Sequence, residues 1–261
     1  MLTVESVLKI LEEVAPLKIS DDFCKKYKMY DNSGIIINCG KKIEGALFSL
    51  DLSEAAVNEA VNSGYNLIVT HHPAIYGGIE RFDLSCDSHA RALAACLKND
   101  ISVISMHLNM DAAPDGIDGY LMKGLGGTDC KILATVEGGG YGRVYGVKPV
   151  EFKRFVENLS EEFSTEPLLH GKDERIVKKV ASFCGAGCDD DAVAFAKQNG
   201  ADAIVSSDLS HHRIVELVES GIAVVQITHY AAESYGFGKI YEKIKNKLNV
   251  PSSFFFDGRF A

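Results

Sequence analysis

The chain lacks a long hydrophobic run and carries little positive charge. Its 261 residues include 27 Lys and Arg against 36 Asp and Glu, which gives a net charge of −9. A bilayer-spanning helix needs about 20 consecutive apolar residues, so we expect no membrane partner. Nucleic acid is also disfavoured as a partner, because binding to phosphates needs clustered Lys and Arg. Residues 1–5 lack the basic start and apolar core of a signal peptide, which predicts a cytoplasmic location.

Several motifs of well-known sites are also missing. The seven cysteines are scattered and odd in number, which is typical of reduced thiols rather than of a disulfide framework. Cys184 and Cys188 lack the two further partners of a zinc finger. The glycine-rich residues 184–189 carry no Walker lysine, although their backbone N–H groups could cradle an anion. Residues 137–142 read as a flexible loop between two lobes. We find no Ser or Cys elbow with a partner base.

One arrangement of strands and helices occurs twice. Two sets of segments read as strand, helix and strand: 46–51, 53–64 and 67–70, and then 180–183, 190–200 and 203–206. Val57 and Val193 are 136 residues apart (193 − 57), and Gly64 and Gly200 share this offset. Shared offsets across the helix, its glycine end and the next strand favour an internal duplication, although any two such units resemble each other.

The repeated segments predict an α/β fold with parallel strands. The strand-like runs are short, apolar and β-branched, as in a sheet that is covered on both faces. Ser53 is the expected N-cap of the first repeated helix and Gly64 its expected C′ residue. Further helices are predicted over residues 3–14, 88–99, 150–163, 211–220 and 234–248. We predict two related α/β lobes, residues 1–130 and 131–261, with a di-metal site in the cleft between them; one compact unit is the alternative.

Histidines and carboxylates stand just past three apolar, strand-like runs. Parallel strands joined by right-handed crossovers end at one edge of a sheet, where α/β folds bind ligands. Imidazoles and carboxylates at that edge are suitable ligands for divalent metals. Two of the runs end in His-x-x-x-acid, whose i and i+4 side chains share a face if a helix begins there. The candidates are His71, His72, His107, Asp111, His229 and Glu233.

The candidates also have other interpretations. His71 and His72 are either ligands of two different ions or polar residues of a loop. Glu233 is either a ligand or an acid favoured by the dipole at a helix N-terminus, and both roles can hold together. His107 could ligate a metal, orient a ligand or transfer protons, and duplication alone could have retained it.

A second histidine pair, His211 and His212, follows Asp208 near the expected start of a helix. Asp208 and His211 lie either at the rim of a site, in contact with substrate, or on a solvated helix face. We take Asp208 as a candidate for substrate binding. We take His107, His211 and Glu233 as candidates for catalysis.

Six motifs occur in an order that resembles one family. They are Asp31-Asn32-Ser33-Gly34-Ile35, Thr70-His71-His72-Pro73, His107-Leu108-Asn109-Met110-Asp111, Gly142-Arg143, Ser207-Asp208 with His211-His212, and His229-Tyr230-Ala231-Ala232-Glu233. Together they are similar to the motifs of the NGG-one-interacting-factor-three-like proteins, many of which are labelled GTP cyclohydrolase type two homologues. The resemblance covers nearly the whole chain, with Thr228 standing where the family commonly has Gly.

The resemblance implies two α/β lobes, a di-metal centre between them and a ring-shaped homohexamer. The implied ligands are His71, His72, Asp111, His229 and Glu233, which leaves His107 outside the ligand set. Two divalent ions per subunit are expected, and His-rich ligands permit Zn, Fe, Mn, Ni or Co.

Two functions fit this ligand set. The first is a metal-dependent hydrolase acting on a small nucleotide-like, heterocyclic or phosphorylated substrate. The alternative is a non-catalytic metal-binding, metal-delivery or regulatory scaffold protein. That protein would have the same ligands but no group that binds a substrate.

Overall fold

The computed structural model describes residues 1–171 and 174–260. The chain divides into two compact units, each with one β-sheet and its helices. Unit 1 comprises Met1–Ala113 and Phe237–Asp257, and unit 2 comprises Pro114–Gly236 and Gly258–Ala261. The α/β class predicted from the sequence is confirmed. The units divide after Ala113, whereas the predicted lobes divide after residue 130; the assignment of residues 1–130 and 131–261 to lobes stays a prediction.

Helices and strands alternate along most of the chain. Within the described residues, the helices are α1 (Val4–Glu12), α2 (Leu17–Tyr27), α3 (Glu54–Asn62), α4 (Ser88–Lys98), α5 (Leu108–Ala112), α6 (Ile117–Gly124), α7 (Phe152–Phe163), α8 (Asp190–Gln198), α9 (His211–Glu219) and α10 (His229–Ile244). The strands are β1 (Gly34–Ile37), β2 (Ala46–Ser49), β3 (Leu67–Thr70), β4 (Ser102–Ser105), β5 (Thr128–Val136), β6 (Gly139–Glu151), β7 (Leu168–His170), β8 (Ile176–Phe183), β9 (Ala203–Ser206), β10 (Ala223–Gln226) and β11 (Ser252–Phe255). Among these helices, none is both long enough and apolar enough to cross a membrane.

Unit 1 contains a five-stranded sheet in the order β1-β4-β3-β2-β11. All neighbours are parallel except β1, which pairs antiparallel with β4. Every residue of β2, β3 and β4 is buried, as expected of strands covered on both faces. Side chains such as Leu47, Ile68 and Val103 pack with Val57 of α3 and Leu93 of α4 to form the core.

Unit 2 contains a six-stranded sheet in the order β5-β6-β8-β9-β10-β7. Strands β8, β9 and β10 are parallel, and the other three pair antiparallel with their neighbours. The prediction of a flexible loop over residues 137–142 is wrong, because Gly139 onwards belongs to β6. A Cβ on Gly142 would lie 2.7 Å from the ring of Phe183, so close packing accounts for this glycine.

The same strand–helix order occurs in both units, as β2-α3-β3-α4-β4 and as β8-α8-β9-α9-β10. Ser53 accepts a hydrogen bond from the Ala56 N–H at the start of α3, and Asp189 caps α8 in the same way. Gly64 and Gly200 follow the two helices with φ of +67° and +66°. The predicted N-cap at Ser53 and glycine end at Gly64 are therefore confirmed. Internal duplication stays a prediction.

Candidate metal centre

The turn after β3 places two imidazoles at the carboxyl edge of the unit 1 sheet. The backbone N–H groups of His71 and His72 both donate to the carbonyl of Leu50, at 3.1 and 3.0 Å. Thr70 Oγ1 donates to the carbonyl of His72 at 2.7 Å and shares a hydrogen bond with Ser105 Oγ at 2.8 Å. Bonds from two neighbouring strands therefore fix the turn that carries both histidines.

Three imidazole rings lie together in unit 1. Ring centroids are 5.0 Å apart for His71 and His72, 5.3 Å for His71 and His107, and 6.0 Å for His72 and His107. The buried Nε2 of His71 lies 3.5 Å from Asp111 Oδ1. One potential ligand atom from each of His71, His107 and Asp111 lies within 4.8 Å of the others, a spacing that suits one divalent cation.

Protein oxygens hold Nδ1 of each of these rings. The acceptors are Met106 O for His71 at 2.9 Å, Asp51 Oδ1 for His72 at 2.7 Å and Asp31 Oδ1 for His107 at 2.7 Å. A carbonyl or an ionised carboxylate only accepts, so Nδ1 carries the hydrogen in each ring. A histidine that binds a metal commonly donates its other N–H to such an oxygen, which fixes the tautomer. All three rings thus present Nε2 as the possible ligand atom.

The carboxylate behind His107 is itself firmly held. Asp31 accepts hydrogen bonds from Ser20 Oγ and Ser33 Oγ, and Ser33 Oγ accepts the backbone N–H of His107 at 2.9 Å. Burial alone would raise the pKa of Asp31, but hydrogen bonds from His107, Ser20 and Ser33 lower this pKa to about 2. Burial works against the charged form of His107, yet the bond to Asp31 and the charge of Asp111 raise the pKa of His107.

In unit 2, helix α10 begins at His229, earlier than the predicted start at residue 234. The sequence analysis did not predict the N-cap of this helix, which is Thr228. Its Oγ1 accepts a hydrogen bond from the N–H of Ala231 at 3.0 Å. The early start places His229 and Glu233 at i and i+4 on one helical face. His229 Nε2 lies 2.9 Å from Glu233 Oε2, and Glu233 is buried.

The ring of His229 is oriented as the unit 1 imidazoles are. Its Nδ1 lies 2.6 Å from Asp208 Oδ2, so Nε2 again faces a buried acid. Four imidazoles therefore have an oxygen acceptor at Nδ1: those of the predicted ligands His71, His72 and His229, and that of His107.

Gly185 lies directly against the acid of this pair. A Cβ built on Gly185 would stand 2.3 Å from Glu233 Oε1 and 3.3 Å from His229 Nε2, and the glycine has φ of +55°. Only glycine combines this φ with enough room for the carboxylate. The hydroxyl of Tyr141 donates to the carbonyl of Cys184 and holds the same loop. A loop seated against a carboxylate is a poor cradle for an anion, which disfavours that reading of residues 184–189.

The remaining candidates lie near the surface of unit 2. Asp208 is exposed and bonded to His229, while His211 and His212 are exposed first residues of α9. Substrate binding by Asp208 and catalysis by His107, His211 or Glu233 stay predictions. Sequence reasoning assigned no role to Asp31 or Asp51, and it placed Gly185 in a loop for anion binding rather than against Glu233. Asp51 is the last residue of the predicted strand segment 46–51 and lies just past β2, and a polar residue at a strand end is the signal that identified the histidines.

The family model for Duf34/NIF3 (NGG1p interacting factor 3) matches residues 2–256. The chain belongs to this family. A GTP cyclohydrolase 1 type 2 homolog from Clostridium acetobutylicum is 28% identical over 255 residues, which cover 95% of this chain and 91% of that protein. NIF3-like protein 1 from Drosophila melanogaster is 28% identical over 240 residues, which cover 87% of this chain and 77% of that protein. The resemblance found from the motifs is confirmed.

Solved structures of other proteins share the fold of this chain. A Bacillus cereus protein related to NIF3 has a TM-score of 0.81 at 18% identity, with 96% of each chain covered. Reduced HcgD from Methanocaldococcus jannaschii has a TM-score of 0.78 at 25% identity, with 97% of each chain covered. The predicted α/β architecture is thus shared along nearly the full length of the chain.

Proposed function

We propose that this family member is a metal-dependent hydrolase that holds two divalent cations through His71, His72, Asp111, His229 and Glu233. The orientation of the imidazoles supports this proposal most strongly, because His71, His72 and His229 each have Nδ1 on a protein oxygen, the usual arrangement behind an imidazole that binds a metal through Nε2. The donors within each unit fit Zn, Fe, Mn, Ni or Co. That both sets serve one centre in the cleft between two lobes is part of the proposal and comes from the family resemblance.

The proposed reaction is hydrolysis of a small nucleotide-like, heterocyclic or phosphorylated substrate. Bound divalent cations polarise a carbonyl, imine or phosphoryl group and lower the pKa of water. The Asp51, Asp208 and Met106 oxygens keep the ligand rings oriented. His107 accepts a proton at Nε2, with His211 as a further proton carrier and Asp208 at the substrate side. The label of relatives as GTP cyclohydrolase 1 type 2 homologs agrees with a heterocyclic substrate.

We also propose that the protein is cytoplasmic and assembles as a homohexameric ring. The first expectation comes from the sequence and the second from the family resemblance. Light scattering coupled to size-exclusion chromatography measures the mass of the assembly directly. A mass equal to one chain of 28.3 kDa would contradict the ring.

The central test compares His71→Ala and Glu233→Ala with the unchanged protein. Both variants should lose bound metal, measured by elemental analysis, and turnover of a nucleotide and phosphoester panel. His89→Ala, an exposed histidine on α4, is the control and should keep both. Full turnover in a variant without metal would contradict the hydrolase proposal.

Burial of three of the five proposed donors favours a second candidate, a protein that keeps its metal without catalysing a reaction. His71 is fully buried, and Glu233 and Asp111 are 3% and 6% exposed. Closed sites of this kind are typical of structural metals. For this candidate, metal removal would lower the midpoint of thermal unfolding, and no substrate in the panel would turn over.

A further inference from the structure

We propose that Asp31 is a positioning residue that fixes His107 as the Nδ1–H tautomer and so gives Nε2 the lone pair that accepts a proton beside His71 and Asp111. The inference rests on the proposed function, in which a water near those residues must lose a proton. It concerns Asp31, a residue outside the proposed ligand set.

The hydrogen bonds of Asp31 leave one oxygen for the imidazole. Oδ2 accepts the hydroxyls of Ser20 and Ser33, at 2.5 and 2.6 Å, while Oδ1 lies 2.7 Å from His107 Nδ1. Each hydroxyl has a single hydrogen, so both are used on Oδ2. The Asp31 side chain is only 2% exposed, which keeps water from competing for Oδ1.

The segment around Asp31 also fixes the backbone of His107. Because Ser33 Oγ donates to Asp31, it can accept the His107 N–H, and it does so at 2.9 Å. The ring and the main chain of one histidine are thus tied to residues 31 and 33. Such double anchoring limits the rotation of the ring and keeps its second nitrogen in one direction.

These bonds determine which nitrogen of His107 carries the lone pair. With the hydrogen on Nδ1, the lone pair is on Nε2. A potential ligand atom of His107 lies within 4.8 Å of those of His71 and Asp111, so a basic nitrogen stands beside the candidate cation donors. His229 has the same kind of partner in Asp208, but that side chain is 50% exposed. Asp31 therefore provides the more sheltered of the two supports.

The test uses the full chain loaded with zinc and labelled with ¹⁵N. Long-range ¹H–¹⁵N spectra assign the hydrogen of His107 to Nδ1 or Nε2, and zinc affinity is measured by competition with a chelator. In the unchanged protein we expect hydrogen on Nδ1. Asp31→Asn should populate the Nε2–H form, as the same change does behind the histidine of a serine-protease triad. Zinc affinity should change by less than about tenfold, below the usual effect of disturbing a ligand's support.

Activity gives an additional readout. With bis(p-nitrophenyl) phosphate as the probe, Asp31→Asn should lower turnover by about 100-fold or more, the scale of lost proton transfer. Asp22→Asn is the matched control, because it makes the same change on α2 at a carboxylate paired with Lys18. This control should leave the tautomer, zinc affinity and turnover unchanged.

Several results would overturn the inference. One is a His107 that carries its hydrogen on Nε2 in the unchanged protein, and another is an Asp31→Asn variant whose tautomer stays on Nδ1. Zinc affinity that falls as far as in Asp111→Asn would identify His107 as a ligand instead. If Asp31→Asn fails to fold, Ser33→Ala removes the acceptor of the His107 backbone N–H but leaves Asp31 Oδ1 on Nδ1, so the hydrogen should stay on Nδ1; hydrogen on Nε2 in Ser33→Ala would overturn the inference. Absent turnover in every protein would reject the hydrolase proposal and leave the tautomer result to decide the inference.

Discussion

The two units carry the same histidine–acid pair on different supports. In each, the third strand of a strand–helix repeat leads into a helix with a histidine at its start and an acid four positions on: His107 and Asp111, and His229 and Glu233. In each, an aspartate holds Nδ1 of that histidine, at 2.7 Å and at 2.6 Å. The origin of the aspartate differs between the units.

In unit 2 the supporting aspartate stands directly after the middle strand of the repeat. Ser207 and Asp208 follow β9 there, whereas His71 and His72 follow β3 in unit 1. Unit 1 therefore has an imidazole where unit 2 has its support, and the aspartate comes instead from Asp31, ahead of β1. The histidine of each pair thus has a carboxylate at Nδ1, while the position that supplies this carboxylate differs between the units.

The largest expected effect concerns an ion pair within unit 2. Arg143 Nε lies 2.9 Å from Asp118 Oδ2, and both side chains are buried. Asp118→Asn leaves a buried guanidinium without its counter-ion and should lower the free energy of unfolding by about 3–5 kcal/mol, measured by urea denaturation. If the units unfold in separate steps, only the step of unit 2 should move.

An exposed pair provides the control for that change. Arg213 Nε lies 3.0 Å from Asp190 Oδ1, and Asp190 is 92% exposed. Asp190→Asn should lower the free energy of unfolding by less than about 1 kcal/mol, because solvent screens such pairs. Equal losses in both variants would show that burial of the Asp118 pair is not what stabilises unit 2.

The second prediction tests the close approach of the glycine loop to Glu233. In Gly185→Ala the methyl group would overlap Glu233 Oε1, so the carboxylate must move. Metal affinity should fall by about 100-fold, the upper range for disturbing the support of a ligand. Calorimetric titration with zinc measures this change.

Gly200→Ala separates that overlap from backbone strain. Gly200 has φ of +66°, close to the +55° of Gly185, but nothing lies within 4 Å of its built Cβ. This control should lose about 1 kcal/mol of stability from strain alone and keep its metal affinity. If Gly185→Ala and Gly200→Ala bind metal with equal affinity, the glycine loop is not part of the metal centre.

The histidines of the candidate centre could be predicted from the sequence, but the residues that orient them could not. His71, His72 and His107 were recognisable because each follows an apolar strand, and strand ends meet at one sheet edge. Asp31 pairs with His107 across 76 positions of the chain, and Gly185 meets Glu233 across 48 (233 − 185). Such contacts depend on tertiary packing, which neither periodicity nor local spacing encodes. The N-cap of α10 at Thr228 is a local feature, but the apolar pattern predicted a later start for the helix, at residue 234.

The third prediction compares one supporting aspartate in each unit. Asp51→Ala removes the acceptor of His72, and Asp208→Ala removes that of His229. Both carboxylates are about half exposed, so water can partly replace them. Metal affinity should fall by about tenfold in each variant, the low end of effects on ligand supports. A loss in one variant alone would mean that one histidine does not bind metal.

The smallest expected effect tests the equivalence of the two repeats at their helix caps. The side chains of Ser53 and Asp189 cap α3 and α8 in the same way: each accepts a hydrogen bond from the backbone N–H three residues later. Ser53→Ala and Asp189→Ala should each lower the free energy of unfolding by about 1 kcal/mol, measured by urea denaturation. Ser210→Ala is the control, since Ser210 precedes α9 without a side-chain capping bond, and it should cost clearly less. Unequal losses at Ser53 and Asp189 would limit the equivalence of the units to their backbone order.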